Sequence, residues 1–79
     1  MNHSAAKIKE LISTTFNIPL EKVTQDMNND NTPAWDSLGH FRLIQAIEQE
    51  FDINIRAHHF VEMTGFKKIE KVLKSYKSK

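Results

Sequence analysis

Apolar residues recur along this chain at intervals of three and four, the period of an amphipathic helix. Ile8, Leu11, Ile12 and Phe16 mark the first such stripe, with Ser4 placed to cap its start and Asn17 and Pro19 placed to end it. A second stripe begins after Asp36 and runs to about Phe51. At about 100° per residue, Leu43, Ile44, Ile47 and Phe51 share one side, taken as the core. Leu38, Phe41, Arg42, Gln45 and Gln49 share the other. Residues 57–63 suit a short third helix, which Thr64-Gly65 interrupts. A last stripe of Phe66, Ile69, Leu73 and Tyr76 predicts a closing helix. No period-2 run extends beyond Phe51 to Ile55, which is brief and alone. The pattern predicts an all-α fold: a small four-helix bundle of three main helices and one short one, with a long first loop.

That loop, residues 17–35, is a cluster of turn formers through Asn28, Asn29, Asp30, Asn31, Thr32 and Pro33. It also holds Ile18, Leu20, Val23 and Met27, which a solvated linker does not need. These four are expected to pack back onto the bundle. Loops of this length in compact domains are usually functional or disordered.

At 79 residues, the expectation is one domain spanning 1–79, near the lower limit for folding on a hydrophobic core alone. There are no cysteines, so the chain has neither a disulfide nor a thiol nucleophile of its own. No segment reaches the length of a membrane span, and the first residues lack the apolar core of a secretory signal. A soluble, cytoplasmic protein is expected. The net charge of +1 hides an uneven distribution: residues 36–52 carry −3, whereas 66–79 carry +5. Lys67, Lys68, Lys71, Lys74, Lys77 and Lys79 read as the solvated face and tail of the last helix. They lack the arginine and interleaved aromatics of a nucleic-acid surface. Neither nucleic acid nor membrane is expected as a partner. His58 and His59 are adjacent, which on a helix splays them, and His3 and His40 are distant in sequence, so no metal site is expected.

The exposed pair Leu38 and Phe41 departs from simple amphipathicity. Either a neighbouring loop covers it or it is a docking patch. Just before it, Ser37 falls in the first turn of the second helix, where free amides and the helix dipole favour a phosphate. By itself such a serine is more often an ordinary capping residue. His40 lies on the core-facing side, and neither a catalytic triad nor a Gly-x-Ser-x-Gly elbow is present, so an enzyme is not expected.

The run Asp36-Ser37-Leu38, then Leu43-Ile44, Ala46-Ile47-Glu48, Glu50-Phe51-Asp52-Ile53 and Ile55, closely resembles the acyl carrier protein family over nearly the whole chain. The resemblance implies that Ser37 is the attachment point of a 4'-phosphopantetheine arm, with Asp36 helping a phosphopantetheinyl transferase recognise the junction. It implies a docking face built from Leu38 and Phe41, joined by Arg42, Gln45 and Glu48, and partial shelter of an acyl chain near Leu43, Ile47, Phe60 and Met63. A loading ligase for acyl or aminoacyl groups and a downstream acyltransferase or synthase would be the further partners, with a monomer as the default state. Gly39 and Arg42 stand where fatty-acid carriers usually have acids, and Gln45 replaces an apolar residue. His58, His59 and Phe60 take the place of acids in the third helix. The Trp35-Asp36-Ser37-Leu38-Gly39-His40 run looks like stand-alone carriers of secondary-metabolite or surface-polysaccharide pathways, and glycine at position 39 is shared with some amino acid carriers. The expectation is a specialised carrier whose partners are dedicated to it. The alternatives are a helical interaction module that is never modified and a basic nucleic-acid-binding bundle.

Overall fold

The computed structural model describes residues 5–76. Four α-helices follow in order: α1 (Ala5–Phe16), α2 (Ser37–Phe51), α3 (Ala57–Glu62) and α4 (Phe66–Lys74). A single 3-10 turn, Leu20–Lys22, interrupts the long loop. The predicted all-α architecture is the observed one. Ser4, expected as the cap of α1, lies outside the described residues.

The core takes Ile8, Ile12 and Phe16 from α1, Leu43, Ile44 and Ile47 from α2, and Phe66, Ile69, Val72 and Leu73 from α4. Val23, Trp35 and Met63 complete it. Of the expected stripes, Leu11 and Phe51 pack at the margin, half-buried. The loop behaves as its apolar content requires, with one exception. Val23 is buried and Ile18 and Met27 pack against the core, but Leu20 is exposed on the 3-10 turn.

Two helices stop by the same device. Asn17 and Asp52 adopt left-handed φ values of 57° and 56°. The next amide then reaches back to a carbonyl in the last turn: Ile18 N–H donates to Ser13 O at 3.0 Å and Ile53 N–H to Glu48 O at 3.1 Å. This is the Schellman closure, and Asn and Asp tolerate the conformation better than other non-glycine residues. Of the two expected terminators of α1, Asn17 makes the stop, and Pro19 follows where the chain has already left the helix.

Behind the loop, Asn29 N–H donates to Thr64 O at 3.0 Å and Phe66 N–H to Met27 O at 2.9 Å, a short bridge between Asn28 and Gly65. Here Gly65 serves close approach: a Cβ on it would lie 3.2 Å from Asn28 Cβ and 3.4 Å from Met27 O.

The closing helix ends at Lys74, two residues short of expectation, and the chain tightens through Ser75 N–H to Val72 O and Tyr76 N–H to Leu73 O, both 3.0 Å. This turn aims Tyr76 at α3. Its hydroxyl accepts from Arg56 N–H at 2.9 Å and lies 2.6 Å from His59 Nδ1. Helix α3 has six residues, no side-chain cap and no fully buried residue, so such tethers carry much of its anchoring. Tyr76→Phe keeps the ring and loses both bonds. It should cost about 1 kcal/mol globally and accelerate amide exchange selectively in residues 57–62; uniform exchange along the chain would show that the tether is immaterial.

Candidate functional site

The site is the start of α2. Asp36 is extended (φ −94°, ψ −169°), and its carboxylate accepts from Gly39 N–H at 2.8 Å. His40 N–H donates to Asp36 O at 2.8 Å and closes the first turn. Side chain and carbonyl of Asp36 thus both serve the helix start, as an N-cap should. This leaves the amides of Ser37 and Leu38 without intrahelical acceptors, at the positive end of the helix dipole. Ser37 is exposed, and its hydroxyl makes no hydrogen bond among the described residues. An open recess of about 390 Å³ lies beside it, lined by Asn29, Trp35, Asp36, Ser37, His40 and Thr64.

A buried polar network fixes the floor of this junction. Trp35 Nε1–H donates to His40 Nδ1 at 3.0 Å, and His40 Nε2 lies 2.6 Å from Phe60 O. An indole N–H can only donate, so Nδ1 must accept, and Nε2 carries the proton given to the Phe60 carbonyl. His40 is therefore a neutral strut with both nitrogens in use. It ties the loop to α2 and α2 to α3. The rings reinforce it: the His40 and Phe60 centroids are 4.7 Å apart edge-to-face, and Phe16 and Trp35 are 5.3 Å apart. The periodicity placed His40 toward the core, where it is, but did not reveal its partners. A polar ring on an apolar face was the available signal, because such a group has to be satisfied.

Gly39 was also more than a missing acid. A Cβ built there would fall 2.2 Å from the Ala34 carbonyl oxygen and 3.1 Å from a Phe16 ring carbon. The loop backbone occupies the space that any side chain would need. Gly39→Asp gains up to ~1 kcal/mol of helix propensity. The overlap costs on the order of 3 kcal/mol, because the obstacle is backbone rather than a flexible side-chain tip. The net expectation is a loss of about 2 kcal/mol, with residues 34–36 displaced. Urea unfolding checks the loss, and an unchanged midpoint would refute it.

The outward residues Leu38, Phe41, Arg42 and Gln45 are all exposed on one face of α2. Glu48 stands apart: half-buried, its carboxylate accepts from Ile55 N–H at 2.8 Å. Glu50 is likewise engaged, 3.3 Å from Lys7 Nζ. That pairing, with Glu10 second, holds the Lys7 ammonium above its ordinary value. Leu43, Ile47 and Met63 are buried in contact with the core, and Phe60 is half-buried beside them. The His58 and His59 rings lie 4.1 Å apart, with His59 committed to Tyr76.

No family model matches this sequence. Among curated proteins, it is similar to the acyl carrier protein of Buchnera aphidicola subsp. Schizaphis graminum (strain Sg), with 44% identity over 55 residues, covering 70% of this chain and 70% of that protein. Identity at that level across most of both chains agrees with the helical order and with the capped serine junction, and the chain belongs to the acyl carrier protein family.

Proposed function

We propose that Ser37 carries a 4'-phosphopantetheine arm through a phosphodiester to its hydroxyl, and that an acyl or aminoacyl group travels on that arm as a thioester. The observation that carries this reading is the exposed, unbonded Ser37 hydroxyl at the capped start of α2, in a chain of this family. The residues present fit the group. The Ser37 and Leu38 amides face the place of a phosphate, and the recess lined by Asn29, Trp35 and Thr64 adjoins it. When bound, the arm supplies the thiol that a chain without cysteine lacks.

Acyl carrier proteins are carriers rather than enzymes, and the residues around Ser37 suit that role. The Asp36 carboxylate is engaged by Gly39 N–H, and both nitrogens of His40 are in use. His40 is therefore no free base beside the site.

Residues 1–79 act as one carrier domain in this reading. A phosphopantetheinyl transferase recognising Asp36 and Ser37 would modify it, a ligase would load it, and an acyltransferase or synthase would unload it. Leu38, Phe41, Arg42 and Gln45 form the face shown to these enzymes; Glu48 contributes through its hold on Ile55. Gly39, Arg42 and Gln45 support a carrier in a specialised biosynthetic pathway, because partner choice follows charge complementarity. No described helix is long and apolar enough to cross a membrane, and we place the carrier in the cytoplasm as a monomer.

The test is intact-protein mass spectrometry after incubation with coenzyme A and a broad-specificity phosphopantetheinyl transferase. One added phosphopantetheine per chain is expected. A well-folded chain that takes up none would favour the second reading, an unmodified interaction module. That reading draws on the same exposed Leu38 and Phe41.

A further inference from the structure

A group carried on an arm at Ser37 meets two kinds of surroundings. On the loop side lies the open recess, lined in part by Asn29, Asp36 and Thr64, an amide, a carboxylate and a hydroxyl. On the other side lies the seam between α2 and α3. Beyond that seam Leu43, Ile47 and Met63 show no exposed surface. An alkyl chain would escape water by passing through the seam to join them.

The seam is fastened along its length. Near Ser37, His40 Nε2–H donates to Phe60 O at 2.6 Å, with the two rings 4.7 Å apart. The Phe41 ring stands 6.5 Å from that of Phe60. Further along, the Glu48 carboxylate accepts from Ile55 N–H at 2.8 Å. From the far side, the Tyr76 hydroxyl accepts from Arg56 N–H at 2.9 Å and lies 2.6 Å from His59 Nδ1. These bonds hold residues 55–60, the entry to α3 and most of its length, against the rest of the bundle. An alkyl chain entering between α2 and α3 has to part His40 from Phe60. That leaves an imidazole N–H and a carbonyl beside a group that can neither accept nor donate. The chain must also wedge into an interior already packed around Leu43, Ile47 and Met63. Leu38 and Phe41 are no substitute: at 57% and 49% exposed, they stand open to water and enclose nothing.

We infer that this carrier holds its cargo outside the bundle, and that the cargo is a small acyl group, polar or no longer than about four carbons, an aminoacyl or hydroxyacyl group included. This deepens the carrier reading and rests on it. A small group loses little by staying in water, whereas each further methylene adds apolar surface that the fastened seam does not cover. The recess beside Ser37 suits the same class. Its amide, carboxylate and hydroxyl can hydrogen-bond to a polar cargo and offer an alkyl chain nothing.

The test compares two loaded forms of the full chain. A broad-specificity phosphopantetheinyl transferase supplied with acetyl- or octanoyl-coenzyme A produces them, and intact mass verifies each. In amide NMR spectra the octanoyl form is expected to match the acetyl form at Leu43, Ile47 and Met63, with differences confined to the neighbourhood of Ser37. On a hydrophobic-interaction column under native conditions the octanoyl form should elute well after the acetyl form, because its chain is wet. The two forms should unfold at the same urea concentration, since a sheltered chain would stabilise the folded state alone. Shifted amides at Leu43, Ile47 and Met63, co-elution of the two forms, or a higher urea midpoint for the octanoyl form overturns the inference and leaves the carrier reading in place. A well-folded chain that accepts an arm from neither thioester removes the carrier reading, and this inference with it.

Discussion

Ser37→Ala should take up no phosphopantetheine under conditions in which the wild-type chain is fully modified, and should unfold at the same denaturant concentration or slightly above it. The two halves of this result follow from one geometry. Ser37 occupies the first position of α2, exposed, with no hydrogen bond from its hydroxyl among the described residues. Removing that oxygen orphans nothing. Alanine is a better helix former than serine by up to ~0.5 kcal/mol, so stability is kept or raised. The cap belongs to Asp36, whose carboxylate holds Gly39 N–H, and it is Asp36→Ala that should cost about 1 kcal/mol. Loss of modification in Ser37→Ala therefore cannot be blamed on unfolding. Intact mass and urea unfolding on the same sample check both halves. Uptake of an arm by the mutant would move the site to another hydroxyl and remove the central assignment.

His40→Ala should be as damaging to stability as truncation of a fully buried core residue, costing about 3–5 kcal/mol. A domain of this size holds only roughly 5–10 kcal/mol in all, so the variant is expected to be partly unfolded at physiological temperature. Three losses combine. The Trp35 indole N–H and the Phe60 carbonyl each lose a buried partner, at 3.0 and 2.6 Å respectively. The imidazole also leaves a void between Trp35 and Phe60, whose rings lie 6.4 and 4.7 Å from its own. Two companions separate these terms. His40→Phe fills the void and keeps the hydrogen-bond loss. Trp35→Phe removes the indole donor and part of the buried ring and should cost about 2–4 kcal/mol. Combined with His40→Ala, Trp35→Phe should add less than its separate cost, because both break the same bond. Strict additivity in that cycle, or a loss below about 1 kcal/mol for His40→Ala, would contradict the strut.

Much of the fold could be read from periodicity because helices of this kind bury a stripe that repeats in the sequence itself. Ile8, Ile12 and Phe16, Leu43, Ile44 and Ile47, and Phe66, Ile69 and Leu73 are buried as their spacing required. Leu38 and Phe41 are exposed for the same reason: their angular position leaves them no core to enter. Where reading failed, the deciding partner was distant. Trp35 and Leu20 are both apolar loop residues, yet one is buried and the other exposed. Loop residues follow no period, so only the packing of the loop on Phe16 and His40 sorts them. Tyr76 was assigned by spacing to a continuous stripe, but the helix ends before it, and its hydroxyl is spent on Arg56 and His59.

The sequence by itself determined the helices, the core stripes, the place of Ser37 at a helix start and the resemblance to carrier proteins, because each rests on local spacing or on a contiguous motif. Tertiary structure alone decided what His40 and Gly39 are for. The first is a neutral link between Trp35 and Phe60, and the second is the gap through which the Ala34 carbonyl passes. It also decided which charges of α2 remain available to a partner, since Glu48 and Glu50 are engaged by Ile55 and Lys7 while Arg42 is not engaged by any described carboxylate. The physical reason is common to all three. Hydrogen bonds, close approaches and ion pairs between segments depend on distances that folding creates, and no repeat in the sequence encodes them.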